Sequence, residues 1–381
     1  MNRLRLLFAC SVLSLGSACF AAGPQLLPDQ VVAPLDTLFY ISARARENGR
    51  AAARLGQALE YGMVITRRSA APNPDLDRVD FDVVDTLLLT REVFVAQLRT
   101  RVVESSDSDA FVVLYTHGYG TGLSEAWEHS TSSRTRARST QPWIVFAWPS
   151  IGSGVAWGDA NFVGAAYRHD SASAVASRGS YAAAISIVHE AIGGQRILAV
   201  AHSLGGQLVG ETLAQDTALR ALLRRDPLRA LAFVSPDVEA IRFGDVIVPQ
   251  IRALTRRLVL YASSDDRVLA MSEMYNDSER AGRIADARCG PIVRDALETV
   301  DMTAGVYADS RLIHTFGTRH ALRRKSAVLF DLLHVVGERR AATCRTLLGT
   351  GAQEDTGVWR LTSQPVPASD ATARCEGVSP S

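Results

Sequence analysis

Ser203 stands where an apolar run meets a helical pattern, and its neighbours suit a nucleophile. Residues 197–201 are Ile, Leu, Ala, Val and Ala, which predicts a buried strand, and Leu204–Leu213 carries apolar residues at helical spacing. A serine on a sharp strand-to-helix turn has its hydroxyl lifted clear of the strand ends. The turn needs small residues two positions before and after the serine. Ala201 and Gly205 meet this need, although glycine is more frequent than alanine at the first position. The spacing therefore predicts Ser203 as a nucleophile for acyl transfer.

A second strand-like run, Ala110–Thr116, ends in the glycine-rich turn His117–Gly120. Backbone N–H groups that stabilise an oxyanion come from the residue after the nucleophile and from a turn after a neighbouring strand. We therefore predict the backbone N–H groups of Leu204 and Tyr119 as the oxyanion donors, and the dipole of the helix that begins at Leu204 adds to them. His117 is interpreted as a structural residue that hydrogen-bonds within the turn, and not as the general base.

Two adjacent carboxylates follow the later run Arg257–Ala262, where the acid of such a site is expected. An aspartate there would orient a histidine and stabilise its charged form. Asp266 and Asp265 are both candidates, and Asp237, after the preceding run Leu228–Ser235, is the reserve. The residues alone leave the choice among the three open.

The general base is expected after the last predicted strand, Leu297–Asp301, and three histidines lie there. His334 falls within an amphipathic helical pattern, so we interpret it as a helix-surface residue. His314 and His320 both fall in the preceding loop, from which a base can reach the serine. We favour His320 because it immediately precedes the long helix, and His314 remains the alternative.

Alternating strand and helix patterns provide the frame for these residues. Strands that are apolar on both faces are typical of a parallel sheet covered by helices. The alternation predicts a mostly parallel, doubly wound α/β sheet flanked by helices, in a domain over residues 38–340. The stretch between Trp148 and Tyr181 is expected either to line or cover an acyl pocket or to be a plain packed connection. The predicted strands are Leu38–Ser42, Tyr61–Thr66, Ala110–Thr116, Trp143–Trp148, Arg196–Ala201, Leu228–Ser235, Arg257–Ala262 and Leu297–Asp301, and the predicted helices are Tyr181–Ile192, Leu204–Leu213 and Ala321–Val336.

Taken together, these motifs resemble those of DUF900, a bacterial α/β-hydrolase family of unknown function that is similar to esterases and lipases. The resemblance covers roughly residues 38–336 and implies the α/β-hydrolase fold. The motifs on which the resemblance rests are His117–Tyr119, Phe146–Ser150, Tyr167 with Asp170, Ala201–Gly205, Ser235–Asp237 and Asp265–Leu269.

The resemblance also implies roles for individual residues. The family's acid precedes an Arg-x-Leu step, which assigns it to Asp266. Its histidine precedes a helix with a Val-Leu-x-Asp stretch, present here as Val328–Asp331, and this favours His320. The family usually follows that histidine with a small residue and an aromatic. Here that pair, Thr315–Phe316, follows His314, so the base stays open.

The expected activity is hydrolysis of carboxylic esters or related acyl bonds, in small molecules or lipids, by a serine hydrolase with a Ser-His-Asp triad. Fold alone does not fix the substrate, so an amidase or peptidase with the same triad is an alternative. A catalytically inactive binding module on the same fold is another.

Composition argues against other classes of function. The 41 basic and 40 acidic side chains nearly cancel, so the chain has no net field to attract nucleic acid or an anionic membrane. Basic clusters such as Arg323–Lys325 carry no interleaved aromatics that could stack on single-stranded bases. No spacing typical of metal ligands and no glycine pattern for a phosphate cradle is found. We therefore expect neither a nucleic-acid partner nor a metal or cofactor.

The first residues have the layout of a secretory signal peptide, 1–21, followed by an extended lead-in, 22–37. Arg3 and Arg5 precede a mostly apolar stretch, and small residues precede a cleavage site after Ala21. We expect an exported protein, periplasmic or secreted. The alternative is an outer-membrane lipoprotein acylated at Cys19, although Leu15 lies one place too far from Cys19 for the usual pattern. No later stretch reaches the ~18 apolar residues of a membrane span.

Three cysteines remain after removal of the signal peptide, and an oxidising compartment favours a disulfide between two of them. Cys344 could pair with Cys375, which would staple the C-terminal tail, or with Cys289. The tail is predicted over residues 341–381. Its last ~30 residues are rich in Ser, Thr and Pro, so we expect them to be loosely packed.

Overall fold

The computed structural model describes residues 35–68, 81–137, 139–151, 160–284, 290–304, 322, 326–362 and 375. Their strands are β1 (Leu35–Glu47), β2 (Arg50–Arg68), β3 (Phe81–Leu89), β4 (Val112–Thr116), β5 (Trp143–Ala147), β6 (Ile197–His202), β7 (Ala230–Val234), β8 (Leu258–Ala262), β9 (Glu298–Asp301), β10 (Gly351–Gln353) and β11 (Trp359–Leu361). These described strands form one sheet in the order β10-β11-β9-β8-β7-β6-β4-β5-β1-β2-β3. Neighbours from β11 to β1 pair in parallel, while β2, β3 and β10 add antiparallel pairs at the two ends.

Helices cover both faces of the sheet. Residues of α1, α4 and α5 pack against one set of strand side chains, such as Leu114, and residues of α2 and α9 pack against the other, such as Tyr115. This arrangement confirms the predicted mostly parallel, doubly wound sheet. The helices are α1 (Arg91–Val102), α2 (Leu123–Arg136), α3 (Ala160–Ala176), α4 (Arg178–Ile192), α5 (Leu204–Gln215), α6 (Thr217–Arg225), α7 (Val248–Ile251), α8 (Arg267–Asn276), α9 (Ser326–Asp331) and α10 (Cys344–Leu348), with 3₁₀ turns at Gly194–Arg196 and Arg252–Leu254 and π-helical segments at Arg242–Ile247 and Leu332–Gly337.

The central strands are buried along their whole length, which is why their sequences are continuously apolar. Every residue of β4, β6, β7 and β8 is buried. Because these strands are parallel and in register, their carboxyl ends lie at one edge of the sheet. The segments that follow them, which contain His117, Ser203, Asp237 and Asp266, therefore begin at that same edge, where α/β sheets bind ligands.

The amino-terminal part of the sheet is larger than the sequence predicts. β1 and β2 form one long hairpin that turns at Asn48 and Gly49, in place of two short strands joined by a polar link. Gly49 has φ +76°, a left-handed conformation that glycine adopts without strain. β3 is an additional strand, exposed over most of its length at the edge of the described sheet. Without a buried face it has no alternation that would predict it.

Residues 341–361, predicted as part of a tail, instead form α10, β10 and β11 and extend the sheet beyond β9. A buried guanidinium anchors this segment. Arg345 donates two hydrogen bonds of 2.7 Å to the carboxylate of Asp331, and it also pairs with Glu298. Tyr261 donates to the same Asp331 carboxylate at 2.6 Å. These charge-assisted contacts connect α10 to α9 and to the central sheet.

A disulfide joins Cys344 to Cys375, with the two Cα atoms 5.8 Å apart. This is the first of the two pairings that the sequence left open, while Cys289 lies outside the described residues. The predicted signal peptide and most of the predicted lead-in also lie outside them; β1 already begins at Leu35, within the lead-in. In the part of the chain that the structure describes, no helix is both long and apolar enough to cross a bilayer.

Candidate active site

Ser203 occupies a strained turn between β6 and α5. Its backbone has φ 55° and ψ −127°, a region that non-glycine residues rarely adopt. Three hydrogen bonds hold it there. Its N–H donates to the Val234 carbonyl at 3.1 Å, and its carbonyl accepts from the N–H groups of Gly206 at 2.8 Å and Asp237 at 3.0 Å. The residue is 2% exposed. The turn therefore has the conformation that lifts a nucleophilic serine out of the sheet.

Close backbone contacts explain the small residues around this turn. A Cβ atom added to Gly205 would lie 2.4 Å from the carbonyl oxygen of His117. A Cβ added to Gly118 would lie 2.7 Å from Cβ of Ser203. Ala201 is fully buried, and its single methyl group is accommodated. The elbow at Ser203 and the turn after β4 thus contact each other directly, as two parts of one site.

The turn after β4 is held by side chains from other elements. The indole N–H of Trp148 donates to the His117 carbonyl at 2.8 Å. The N–H of Gly120 donates to Oδ2 of Asp170 at 2.9 Å, and the N–H of Thr121 donates to Oγ of Ser150 at 2.9 Å. Ser150 in turn donates to Asp170, which is fully buried. These bonds fix the backbone on both sides of Tyr119.

His117 lies within this turn and is fully buried. Its Nδ1 is 3.0 Å from the Gly118 carbonyl, so Nδ1 carries the hydrogen and donates it. Its ring stacks on Trp148, with centroids 5.1 Å apart. Burial, together with the charge of Arg44, lowers the pKa of His117 to about 3. A base for chemistry near neutral pH needs a pKa close to that pH, so this environment fits the predicted structural role.

The two adjacent carboxylates after β8 lie in different environments. Asp266 is fully buried and caps α8, where its Oδ1 accepts the Leu269 N–H at 3.1 Å. Asp265 is exposed, and its N–H donates to Oγ of Ser263. Burial at the carboxyl end of a central strand is the setting expected of the acid. Of this pair, Asp266 has that setting.

Asp237, the reserve candidate, is buried in a polar network of its own. It accepts hydrogen bonds from Ser272 at 2.6 Å and from Tyr167 at 3.0 Å. Nε of Arg280 lies 3.3 Å from the same carboxylate. Asn276 donates to the Tyr167 hydroxyl at 3.1 Å. These partners give Asp237 a structural role in a network that connects α3, α8 and the segment after β7.

A cavity of about 30 Å³ lies beside Ser203. Its lining brings together predicted site residues and residues from α3 and α8. Tyr167 of α3 is in the lining, so part of the stretch between Trp148 and Tyr181 faces the cavity beside Ser203. The lining residues are Tyr119, Gly164, Tyr167, Ser203, Asp237, Val268, Met271, Ser272 and Tyr275.

Of the three histidines considered for the general base, the structure describes His334. His314 and His320 lie outside the described residues, so the choice between them stays a prediction. His334 lies in the π-helical segment that follows α9, with Nδ1 2.8 Å from Glu338. Its side chain is only 12% exposed, so it is more buried than the predicted helix-surface residue. Among the described residues, no group of three or more His, Cys, Asp or Glu side chains is placed to hold a metal ion.

The sequence model of a family described as "Alpha/beta hydrolase of unknown function (DUF900)" matches residues 93–319, which is more than half of the chain. The chain belongs to this family. The match spans the turn after β4, the elbow at Ser203 and the segments after β7 and β8, and it confirms the resemblance on which the sequence prediction drew.

Solved structures similar to this DUF900 hydrolase include a predicted CIB-like hydrolase from Thermoplasma acidophilum, at 15% identity and TM-score 0.29, covering 78% of this chain and 99% of that one. They also include the carboxylesterase EstE1 from a metagenomic library, at 11% identity and TM-score 0.32. That match covers 79% of this chain and 90% of EstE1. Dipeptidyl peptidase 4 from Porphyromonas gingivalis has 13% identity and TM-score 0.31. The match covers 79% of this chain and 36% of the peptidase. No curated protein matches the sequence.

Several residues of the site were not predicted from the chemistry of their own segments. Ser150 and Asp170 were predicted only as residues of the family motifs, and Tyr167 also lay in the stretch expected either to line or cover the acyl pocket or to be a plain packed connection. The structure places Ser150 and Asp170 against the Tyr119 turn and Tyr167 in the cavity. The family motifs in the sequence were thus what pointed to these residues. Met271 and Tyr275 carried no signal, because helical residues that line a cavity look like ordinary packing residues.

Proposed function

We propose that this DUF900 hydrolase cleaves carboxylic esters of small molecules or lipids through an acyl-enzyme on Ser203. The observation that carries the proposal is the strained backbone of Ser203, which lies beside a cavity and in contact with the Tyr119 turn. Backbone strain at a buried residue persists when the surrounding structure holds it and is common at catalytic positions. Ser235, also buried with a positive φ, is not among the residues that line the cavity, whereas Ser203 is. The family and the sheet topology support hydrolysis as the reaction class.

In the first half of the reaction, Oγ of Ser203 attacks the carbonyl carbon of the ester while His320 accepts the hydroxyl proton. The carbonyl electron pair moves to oxygen, and the backbone N–H groups of Tyr119 and Leu204 stabilise the resulting oxyanion. When the carbonyl re-forms, the bond to the alcohol oxygen breaks, and the histidine returns its proton to the leaving alcohol. In the second half, water repeats these steps on the acyl-enzyme and releases the carboxylic acid.

Asp266 is proposed as the carboxylate that orients the histidine and stabilises its charged form. Its buried position at the end of β8 supports this role, since an ionised carboxylate stabilises a neighbouring imidazolium and the attraction is stronger away from water. Its Oδ1 accepts the Leu269 N–H, which fixes the carboxylate at the amino end of α8. His314 is the alternative base, and Asp265 and Asp237 are the alternative acids.

Export to the periplasm or the medium is also part of the proposal. The Cys344–Cys375 disulfide supports it, because such bridges persist in oxidising compartments. Cleavage after Ala21 would leave this pair in the mature chain. Acylation at Cys19 would instead attach the protein to a membrane.

Covalent labelling tests the nucleophile directly. A fluorophosphonate is expected to add once to the mature protein, because Oγ of an activated Ser203 displaces fluoride from phosphorus. Intact-mass measurement should show one adduct, and peptide mapping should place it on Ser203. Protein unfolded in detergent before exposure serves as the control and should stay unlabelled. An unlabelled folded protein would indicate an inactive binding module, and an adduct on another residue would refute the assignment of Ser203.

A further inference from the structure

The size and lining of the cavity beside Ser203 limit the acyl group that it can accept. Its volume is about 30 Å³, and a cavity must offer about 10–15 Å³ to admit one water, so it has room for about two. Tyr119 and Ser203 form its catalytic end, where the proposed oxyanion and acyl oxygen would lie. An acyl chain that extends from that end into the cavity would fill it with one or two carbon atoms.

One wall of the cavity is fixed by hydrogen bonds and ring contacts. The Tyr167 hydroxyl bonds Asp237 and Asn276, and its ring lies 5.9 Å from the rings of both Tyr119 and Tyr275. Tyr275 is seated against α3, since a Cβ added to Gly164 would fall 1.5 Å from its hydroxyl oxygen. Longer acyl chains therefore cannot be accommodated by movement of Tyr167 without the loss of these contacts.

The chemistry of the lining favours an uncharged acyl group. Arg280, at 3.3 Å, balances the charge of Asp237, and two hydroxyl donors occupy its oxygens. Among the described residues, the rest of the lining is made of Gly164, Val268, Met271 and tyrosine rings. Such a lining offers an acyl chain apolar contact and no ionic partner.

We propose that the substrates are esters of short, uncharged acyl groups of two or three carbons. This inference rests on the proposed acyl-enzyme at Ser203 and specifies its substrate class. Met271 is the lining residue whose truncation can lengthen the cavity, because it lies on α8 and takes no part in the hydrogen bonds that fix Tyr167.

The test compares p-nitrophenyl acetate, propionate, butyrate and octanoate on the mature protein, after subtraction of the rate of a Ser203→Ala variant. The values of kcat/KM for acetate and propionate are expected to exceed that for octanoate by about 100-fold, as each added methylene meets a fixed wall. Met271→Ala should raise the butyrate-to-acetate ratio about tenfold. Met274→Ala is the matched control, since Met274 lies on the same helix and is 86% exposed.

The outcomes separate this inference from the proposed function. Octanoate hydrolysis as fast as acetate hydrolysis, or an identical chain-length profile for Met271→Ala and Met274→Ala, would overturn the short-acyl assignment while leaving the serine hydrolase intact. If no ester shows a Ser203-dependent rate, the proposed function itself fails.

A second inference comes from the peptide group that carries the Tyr119 N–H. In a trans peptide the N–H and the carbonyl of the same unit point in opposite directions. The carbonyl of this unit belongs to Gly118, and Nδ1 of His117 donates to it at 3.0 Å. The two neighbouring peptide groups are also fixed by hydrogen bonds. The Trp148 indole N–H donates to the His117 carbonyl, and the Gly120 N–H donates to Asp170. His117 therefore fixes the plane of the peptide between them.

We infer that His117 is a positioning residue that directs the Tyr119 N–H toward the oxyanion. Asparagine can place an amide N–H where Nδ1 lies, whereas the longer side chain of glutamine places it near Nε2. Within the described residues, Nε2 of His117 makes no hydrogen bond that meets geometric criteria, although the Trp148 backbone lies near the ring, so His117→Asn keeps the bond that Nδ1 makes to the Gly118 carbonyl. The Asn and Gln variants thus differ in whether the side chain can donate a hydrogen bond to the Gly118 carbonyl.

His117→Gln is expected to lower kcat for p-nitrophenyl acetate about 100-fold with little change in KM, as for loss of one oxyanion donor. His117→Asn should retain most of the wild-type kcat. Thermal melts establish that each variant folds, and His117→Leu, which also lacks the donor, provides a second test. Equal kcat values for the Asn and Gln variants, or a loss confined to KM, would refute the positioning role without affecting the assignment of Ser203.

Discussion

Replacing Ser203 with alanine is expected to lower kcat for a short-chain p-nitrophenyl ester by about 10⁶-fold, the magnitude seen when a serine nucleophile is removed. The reason is that no acyl-enzyme can form without Oγ, and only the residual effect of the oxyanion donors and of substrate binding remains. The fold should persist, because alanine keeps the Cβ atom and the backbone bonds to Val234, Gly206 and Asp237 do not involve the hydroxyl. Initial rates and a thermal melt on the same preparation check both parts.

A second buried serine provides the control for this variant. Ser132 on α2 is 2% exposed, and it is not among the residues that line the cavity. Ser132→Ala should therefore keep the wild-type kcat and KM. A Ser203→Ala protein that retained a hundredth or more of wild-type turnover would show that hydrolysis takes place elsewhere on the molecule.

The turn at Ser203, the proposed nucleophile, could be predicted from sequence because its elements are consecutive along the chain. Strand, turn and helix are consecutive in residues 197–213. The steric demand for a small residue at Gly205 arises from the turn after β4, since a Cβ there would lie 2.4 Å from the His117 carbonyl oxygen, but the glycine itself can be read from the sequence. The same holds for the strands that precede the oxyanion turn and Asp266. In each case a continuous apolar run that stops at a polar residue marks the carboxyl end of a buried strand, and parallel pairing brings such ends together.

The rest of the site depends on contacts between segments that are distant along the chain. Asp170 meets Gly120 across 50 residues, and Tyr167 meets Asp237 across 70. Nothing in the local sequence of α3 distinguishes the residues that face the site from those that pack. The carboxyl-terminal strands were missed for a similar reason, since the contact of Arg345 with Asp331 decides that this segment packs on the sheet.

Asp266→Asn is expected to lower kcat by about 10⁴-fold while leaving the protein folded. Asparagine is as good a helix cap as aspartate, so the bond from the Leu269 N–H and the start of α8 should be preserved. An amide, however, neither stabilises an imidazolium by charge nor selects the tautomer that a carboxylate selects. Steady-state rates as a function of pH, together with a urea titration, measure the two effects separately.

Variants of the two neighbouring carboxylates, Asp265 and Asp237, provide the controls for Asp266→Asn. Asp265→Asn changes an exposed group one residue away and should leave kcat unchanged. Asp237→Asn removes a charge that Ser272, Tyr167 and Arg280 all contact, so its main expected effect is lower stability. If Asp237→Asn instead abolished turnover in a stable protein while Asp266→Asn stayed active, the acid would belong to the segment after β7. Steady-state rates of His320→Ala and His314→Ala then assign the base, because removal of the general base should lower kcat by about as much as Ser203→Ala does, and removal of the other histidine should not.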